Sequence, residues 1–255
     1  MHFAKRSRAG SGMSLYGPPG FTYRTYRNRV IWIYEKLLTL YLRDIGLDMT
    51  PEKKRKTAKI LSLVVIIAGV MVIIGWIFDI GILKSISPAW VSMKFDTAIA
   101  FVLSGITLYF IVRAMEGEFD KAQVVISVTS MALILLMGLL FFSAVLHIRT
   151  GADELFIKET IVSEKSIAPG VTSLLTMFNF LLTGVGGVLT ILNPGKSRLK
   201  LKIIGLFVVA VGATAIFGYI IDVPLLYSYI EGVNSAIAFN TAALFILLGT
   251  GLLCL

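Results

Sequence analysis

Six long apolar segments dominate the sequence and decide what it can fold into. They occupy about residues 60–78, 97–112, 122–146, 171–192, 201–221 and 237–254. A transmembrane helix needs about 20 such residues to cross the hydrocarbon core of a bilayer. Hydrophobic residues make up 56% of the 255 positions and charged residues only 15%, whereas about a quarter of the residues in soluble domains are charged. The predicted fold class is therefore an all-α membrane protein with six transmembrane helices.

The positive charge of the chain is concentrated before the first apolar segment. The net charge is +9, and residues 1–59 contain thirteen Lys and Arg residues against four acidic residues. Cytoplasmic loops of membrane proteins carry an excess of Lys and Arg. With a cytoplasmic N-terminus, 19 of the 24 basic residues lie on the cytoplasmic side and 5 on the opposite side. We therefore predict an integral protein of the cell membrane with both termini in the cytoplasm.

The region before the first span divides into two predicted parts. Residues 1–20 are basic and rich in Gly, Ser and Pro, which predicts a disordered tail and leaves open whether Met1 or Met13 is the true start. Residues 21–59 are predicted to form an amphipathic, basic cytoplasmic arm, because residues 28–46 place apolar side chains on one helical face. Such a helix lies on the cytoplasmic leaflet or docks onto a partner protein.

The basic residues of this arm are the predicted contacts for anionic lipid headgroups or for a partner subunit. They are Arg24, Arg27, Arg29, Lys53, Lys54, Arg55 and Lys56. Clusters of this kind next to a membrane span attract anionic lipids, so lipid rather than nucleic acid is the expected partner. Thr50 and Pro51 have the residue types of an N-cap and a first helical position, which predicts a helix that begins there and continues into the first span.

One phrase occurs twice in nearly the same form. Residues 95–105 read FDTAIAFVLSG and residues 239–249 read FNTAALFILLG, while residues 176–184 carry a weaker copy, TMFNFLLTG. The segments before the two strong copies also match, as GWIFDI at 75–80 and GYIIDV at 218–223. Duplicated segments in membrane proteins indicate related helical units. We therefore predict three repeated hairpins, at residues 60–112, 122–192 and 201–254.

The repeated phrase has a packing interpretation and a ligand interpretation. Asp96 or Asn240 can accept hydrogen bonds from free N–H groups at a helix start, and the glycines of the phrase allow close helix packing. Alternatively, the polar residues at the matching ends of two hairpins lie at one membrane depth and bind a ligand. The candidate ligand-binding residues are Asp79, Asp96, Asp222 and Asn240.

The same segments carry a resemblance to a known family. The stretches are WVSMKFDTAIAFVLSG (90–105), VTSLLTMFNFLLTG (171–184), FGYIIDVPLLYSYIEGV (217–233) and SAIAFNTAALFILLG (235–249). They resemble the N-terminal multi-pass membrane regions of bacterial and archaeal sensor histidine kinases and diguanylate cyclases. The resemblance implies a signal-input module. Members of that family continue into kinase or cyclase domains, whereas this sequence ends at Leu255, so we expect no output domain here.

Residues for catalysis or metal binding are scarce. The sequence has two histidines, His2 and His147, and one cysteine, Cys254, whereas a metal site needs several ligands in one place. We predict no enzymatic activity, no metal site and no cofactor, with structural lipids expected and single pigment ligation by His147 as a minor alternative. The apolar segments also lack an ionisable residue near their middle, which argues against a transporter.

Three functions remain open on the sequence alone. The first is a non-catalytic accessory or structural subunit of a larger membrane complex, built on a sensor-type module. The second is a stand-alone sensory module that signals through a separate kinase or cyclase. The third, least supported, is a small-molecule transporter.

Overall fold

The computed structural model describes residues 50–87, 90–146, 172–194, 197–228 and 236–255, which all belong to one compact unit, Asp48–Leu255. Several predictions lie outside these residues. They are the tail at 1–20, the arm up to residue 49 with Arg24, Arg27 and Arg29, the choice between Met1 and Met13, and the role of His147.

The described residues are helical and contain no β-strand. Seven α-helices and one 3₁₀ turn occur in them: α1 Pro51–Ile77, α2 Gly81–Lys84, α3 Phe95–Met115, α4 Phe119–Leu146, α5 Leu174–Leu192, α6 Ser197–Ile220, the turn Pro224–Leu226, and α7 Phe239–Leu253. Five of these helices, α1, α3, α4, α5 and α6, are long and apolar enough to cross a membrane. The last, α7, is apolar but has only 15 residues. An all-α, multi-pass membrane fold is thus confirmed.

The start of α1 agrees with its sequence signal. Thr50 is the N-cap, and its side chain accepts a hydrogen bond from the Lys53 N–H at 3.4 Å. Pro51 is the first helical residue, where its missing N–H costs no hydrogen bond. The helix then continues without a break to Ile77. The predicted helix start at Thr50 and Pro51 is therefore confirmed.

Three helices, α3, α5 and α7, lie at the centre of the bundle, and we call them the inner helices. Three outer helices form a ring around them. The outer helices are α1, α4 and α6, and each packs against the inner helix that follows it in the chain and against one further inner helix. These contacts join α1 to α3 and α7, α4 to α5 and α3, and α6 to α7 and α5. Large apolar side chains such as Ile67, Val128 and Ile203 are exposed on the outer helices. The ring thus presents an apolar surface that suits lipid.

Three phenylalanines meet where the inner helices converge. Phe101 on α3, Phe180 on α5 and Phe245 on α7 are fully buried. Their ring centroids lie 4.8, 5.0 and 5.1 Å apart, within the range of favourable aromatic pairs. We call them the phenylalanine cluster. Each lies four residues before the final glycine of one copy of the repeated phrase, so the copies occupy equivalent places around one centre.

Each outer helix crosses its following inner helix at a small residue. A glycine of the inner helix lies against a backbone carbonyl of the outer helix in all three cases. The contacts are Gly105 with Ser62, Gly184 with Ser130, and Gly249 with Gly205. A Cβ atom on Gly249 would lie only 2.6 Å from the Gly205 oxygen. Without a side chain the backbones can approach closely, and this increases dispersion contacts between helices in lipid.

The chain turns in the same way after α1 and after α6. Asp79 and Asp222, two residues beyond the helix ends, have positive φ angles of 56° and 53°. In both turns the next N–H donates to the carbonyl five residues earlier, which is the Schellman arrangement. These bonds join Ile80 to Gly75 at 2.8 Å and Val223 to Gly218 at 2.9 Å. Aspartate is among the few residues other than glycine that tolerate this backbone conformation.

This turn predicts opposite effects for two substitutions of the exposed Asp222. Asp222→Gly is expected to leave stability unchanged or raise it by about 0.5 kcal/mol, because glycine has no Cβ strain at positive φ. Asp222→Val is expected to lower it by roughly 1–2 kcal/mol, because a β-branched residue strains there. Thermal unfolding midpoints of the purified protein in detergent check the pair. Equal midpoints for both variants would contradict the strain argument.

Candidate functional site

The loop between α1 and α3 is closed by side chains of its own hairpin. The Met93 N–H donates to the Lys84 carbonyl at 2.9 Å, and the Trp76 indole Nε1–H donates to the Met93 carbonyl, also at 2.9 Å. The Lys84 ammonium pairs with Asp79 at 2.5 Å and lies 4.8 Å from the centre of the Trp76 ring. The loop therefore returns the chain to the start of α3 in a fixed position.

The loop between α6 and α7 closes in the same way with different side chains. The Ile237 N–H donates to the Tyr227 carbonyl at 2.8 Å, and the Tyr219 hydroxyl donates to the Ile237 carbonyl at 2.9 Å. The rings of Tyr219 and Tyr227 stack at 4.2 Å. Burial raises the pKa of the Tyr227 phenol, and the nearby Asp222 carboxylate raises it further. Tyr227 is therefore neutral at physiological pH.

Aromatic residues join these two loops. The Trp90 ring lies 5.4 Å from Tyr219 and 4.8 Å from Phe239. Since Trp90 precedes α3 and the other two belong to α6 and α7, this contact joins the loop before α3 to α6 and α7. The starts of α3 and α7 are thereby held near each other.

A small polar pocket lies at the starts of the three inner helices, one turn from the phenylalanine cluster. It is lined by Thr97 of α3, Thr176 of α5 and Thr241 of α7, which occupy the same position in the three copies of the phrase. Four further polar residues line it: Ser92, Lys94, Thr172 and Ser173. The volume inside is about 10 Å³, close to what one water molecule needs. We call this site the threonine pocket.

Three helix starts and one lysine contribute positive charge around the threonine pocket. Each inner helix begins there, and a helix N-terminus carries roughly half a positive charge through its free N–H groups. Lys94, the N-cap residue of α3, is only 8% exposed. Among the described residues that line the pocket, none is acidic. Groups of both charge signs therefore border the pocket, because the Asp96 carboxylate accepts hydrogen bonds from two of its lining residues, Thr97 and Thr172.

Asp96 lies beside the pocket and joins the start of α3 to Thr172, which lies just before α5. The Thr172 hydroxyl lies 2.9 and 2.8 Å from the two carboxylate oxygens, to which it donates. The Thr97 N–H donates to the same carboxylate at 2.7 Å, so Asp96 satisfies one free N–H at the start of α3, as predicted. The Asp96 charge is thus stabilised by neighbouring donors.

Asn240, the matching residue of α7, has a different role. Its amide Nδ2 donates to the Lys84 carbonyl at 3.0 Å and so joins the start of α7 to the loop between α1 and α3. The N-cap of α7 is Ala238, and no side chain caps this helix. The predicted capping role of Asn240 is therefore wrong, because an amide can donate to a carbonyl of the neighbouring loop where a carboxylate cannot.

The four predicted ligand residues lie at one end of the bundle but do not line a common pocket. Asp79 and Asp222 are exposed at the two matching turns, and Asp96 and Asn240 bridge neighbouring hairpins. None of the four belongs to the lining of the threonine pocket. Their binding of a ligand stays a prediction.

Sequence reasoning missed the residues that do line the pocket, especially Lys94 and the three threonines. The signal was present in the repeats, because FDT, FNT and the first residue of TMFNFLLTG supply a threonine at equivalent positions. The phrase was interpreted through its glycines and through Asp96 and Asn240, and no separate role was predicted for its threonines. These threonine side chains line one pocket only because three segments that are far apart in the sequence pack together in the fold.

Polar side chains are also buried between α3, α4 and α5. The hydroxyls of Thr107 on α3 and Thr129 on α4 lie 2.8 Å apart. Other buried groups have no hydrogen-bond partner among the described residues, and these include the Ser104 and Ser130 hydroxyls and both amide atoms of Asn179. Buried polar atoms of this kind are sites for ordered water. The region where α3, α4 and α5 meet is therefore rich in polar groups.

The opposite end of the bundle is basic, and some of its charges are used internally. The Arg55 guanidinium donates to the Met115 carbonyl at 3.2 Å, and Lys59 pairs with Glu116 at 2.5 Å. Lys53 and Lys56 are exposed, while Lys54 is partly buried. Four of the predicted lipid contacts lie in the described residues, and one of them, Arg55, also connects α1 to the end of α3. Lipid binding by the four stays a prediction.

The described residues offer no group of three or more His, Cys, Asp or Glu side chains that could bind a metal ion. Cys254 is buried and not in a disulfide.

Comparison with known proteins adds no identity to this geometry. The chain matches no family model, no curated protein and no solved structure. The resemblance to sensor membrane regions therefore remains a hypothesis that is based on the repeated phrase.

Proposed function

We propose that this protein is a non-catalytic accessory subunit of a larger membrane complex, built on a sensor-type membrane module. Its six spans form three repeated hairpins, with both termini in the cytoplasm and the threonine pocket on the opposite side. The concentration of basic residues at the other end of the bundle supports this orientation. The matching turns, glycine contacts and phenylalanine positions support the repeat.

The sixth span of this proposal is α7. Its 15 residues extend about 22 Å as a helix, less than the thickness of a typical hydrocarbon core. Two of its neighbours, α6 and α1, pack against it, and Ile237 and Ala238 before its first residue are buried. Since protein rather than lipid surrounds much of α7, a short helix suffices here.

The observation that carries the proposal is the closed centre of the ring. The phenylalanine cluster is fully buried between the inner helices, and no charged residue is buried in the middle of a described helix. Transport needs a polar pathway with groups that bind the substrate. A tightly packed ring with an apolar outer surface suits a module that contributes contact area to an assembly.

The experiment that tests this proposal is the isolation of native partners. The protein is tagged at its native expression level and extracted in a mild detergent, and the proteins that co-purify in stoichiometric amount are identified by mass spectrometry. We expect subunits of one stable membrane assembly. Purification without any stoichiometric membrane partner, in several mild detergents, would contradict an accessory role.

The second candidate function, a sensory module, is favoured by the threonine pocket. A polar pocket at the junction of three hairpins couples an occupant to the relative positions of all three. Recovery of a kinase or cyclase in the same experiment would replace the first proposal with this one.

A further inference from the structure

We propose that the start of α6 binds the headgroup phosphate of an anionic phospholipid, taken from the leaflet at the basic end of the bundle. The binding groups are Arg198, Lys200 and Lys202 together with the apolar side chains between them, and we call this surface the α6 lipid site. It lies outside the basic arm to which the sequence assigned lipid contacts. The inference goes beyond the proposed function, since an accessory subunit and a sensory module could both carry such a site.

The first argument is the arrangement of side chains on the exposed face of α6. Arg198, Lys200 and Lys202 are exposed. Leu199 and Ile203, which alternate with them, are 69% and 60% exposed. With 3.6 residues per turn, Arg198 and Lys202 lie along one edge of this face and Lys200 lies along the other, with the apolar pair between the edges. Cationic groups thus border an apolar strip, which suits a phosphate above an acyl chain.

The second argument is the repulsion between two of these cations. Residues four apart on a helix are neighbours, so the like charges of Arg198 and Lys202 destabilise the helix start. A phosphate between them replaces this repulsion with two attractions. The guanidinium of Arg198 also presents paired N–H donors, whose geometry matches two oxygens of one phosphate group.

The third argument is the lack of acidic side chains on the helices that surround the site. Among the described long helices, α6 packs against α5 and α7. The sequence has no Asp or Glu from residue 165 to residue 221 or from residue 236 to residue 255. These two ranges include all of α5, α6 and α7. An anion from outside the protein therefore meets a positive surface that these helices do not neutralise.

The start of α4, another outer helix at the same end of the bundle, differs in this respect. Acidic residues precede it in the chain, and they pair with basic residues of α1 and α3. Lys59 pairs with Glu116 at 2.5 Å. Arg113 pairs with Glu118. Since the acidic side chains there offset the cations, an anionic lipid gains more at α6 than at α4.

The test is a lipid titration of the full chain in a neutral detergent, with bound lipids counted by native mass spectrometry. The probes are phosphatidylglycerol, the neutral lipid phosphatidylcholine, and inorganic phosphate as a free anion. We expect a saturable phosphatidylglycerol site with a Kd at least about tenfold lower than that of phosphatidylcholine. Inorganic phosphate at the same concentration is expected not to displace the lipid. Equal Kd values for the two lipids, or displacement by phosphate, would overturn the proposal.

Two double variants assign the site to α6. Arg198→Gln with Lys202→Gln is expected to raise the phosphatidylglycerol Kd about 25-fold, at about fivefold per cation. Lys53→Gln with Lys56→Gln is the matched control, because it removes two exposed cations from the start of α1. We expect this control to change the Kd by less than about threefold. An unchanged Kd in the α6 variant, or an equal rise in the control, would contradict the assignment.

An exchange of the two cations separates loss of the site from damage to the helix. Arg198→Lys with Lys202→Arg keeps both charges, and we expect its phosphatidylglycerol Kd to stay within about threefold of the original. Thermal unfolding midpoints show whether each variant is folded. Loss of lipid binding in a folded exchange variant would mean that charge does not define the site.

Discussion

Replacing Phe101 with alanine is expected to lower the free energy of unfolding by roughly 2–4 kcal/mol. The side chain is fully buried and contacts Phe180 and Phe245 at the centre of the ring. Truncation leaves a cavity among three helices, and the lining atoms lose their dispersion contacts. The expected loss of stability is smaller than for a Phe→Ala change in many soluble cores, because burial in a membrane protein replaces contact with apolar lipid rather than with water. Denaturant titration in mixed micelles measures it.

The matched control is Phe142→Ala on the outer helix α4. Phe142 is 63% exposed, so its removal leaves no internal cavity. We expect a change within about 0.5 kcal/mol, as for other exposed positions. Similar losses for Phe101→Ala and Phe142→Ala would mean that the phenylalanine cluster is not the centre of the fold.

Replacing Gly249 with alanine is expected to destabilise the protein by roughly 1–3 kcal/mol, although alanine is the better helix former. A Cβ atom there would lie 2.6 Å from the Gly205 oxygen and 2.7 Å from a methyl group of Val209. Two of the three nearest atoms, the Gly205 oxygen and the Val209 nitrogen, are backbone atoms of α6 that cannot adjust easily, so α6 and α7 must separate. The unfolding midpoint in detergent is the measurement.

Gly138→Ala is the corresponding control, since it makes the same chemical change in another long helix. Its nearest atom would be a methyl carbon of Leu181 at 3.8 Å, an ordinary contact distance. We expect stability to stay the same or to rise by up to about 1 kcal/mol. If Gly249→Ala behaved like Gly138→Ala, the close crossing of α6 and α7 would be disproved.

The features that depend on residues close together in the chain could be predicted from the sequence. Apolar length predicted the long helices, and the Thr50 and Pro51 pair predicted where α1 begins. The repeated phrase also predicted that its glycines pack closely, because small residues in an apolar helix have few other uses. These features follow from composition and local hydrogen bonding alone.

The contacts between hairpins could not be predicted, because they join residues far apart in the chain. Asp96 contacts Thr172, and Asn240 contacts Lys84, only because the helices follow one particular order around the ring. The predicted ligand residues were expected at one membrane depth, but a common depth does not determine which way each side chain points. Thus Asp79 and Asp222 belong to turns, whereas the threonines of the same repeats line the pocket.

The ring also dictates an order of events during synthesis. The first long helix, α1, packs against α7, whose first residue follows the end of α1 by about 160 positions. At typical translation rates this delay is roughly 10–30 s. During this time one face of α1 remains against lipid or the insertion machinery. The ring can therefore close only after α7 has been synthesised.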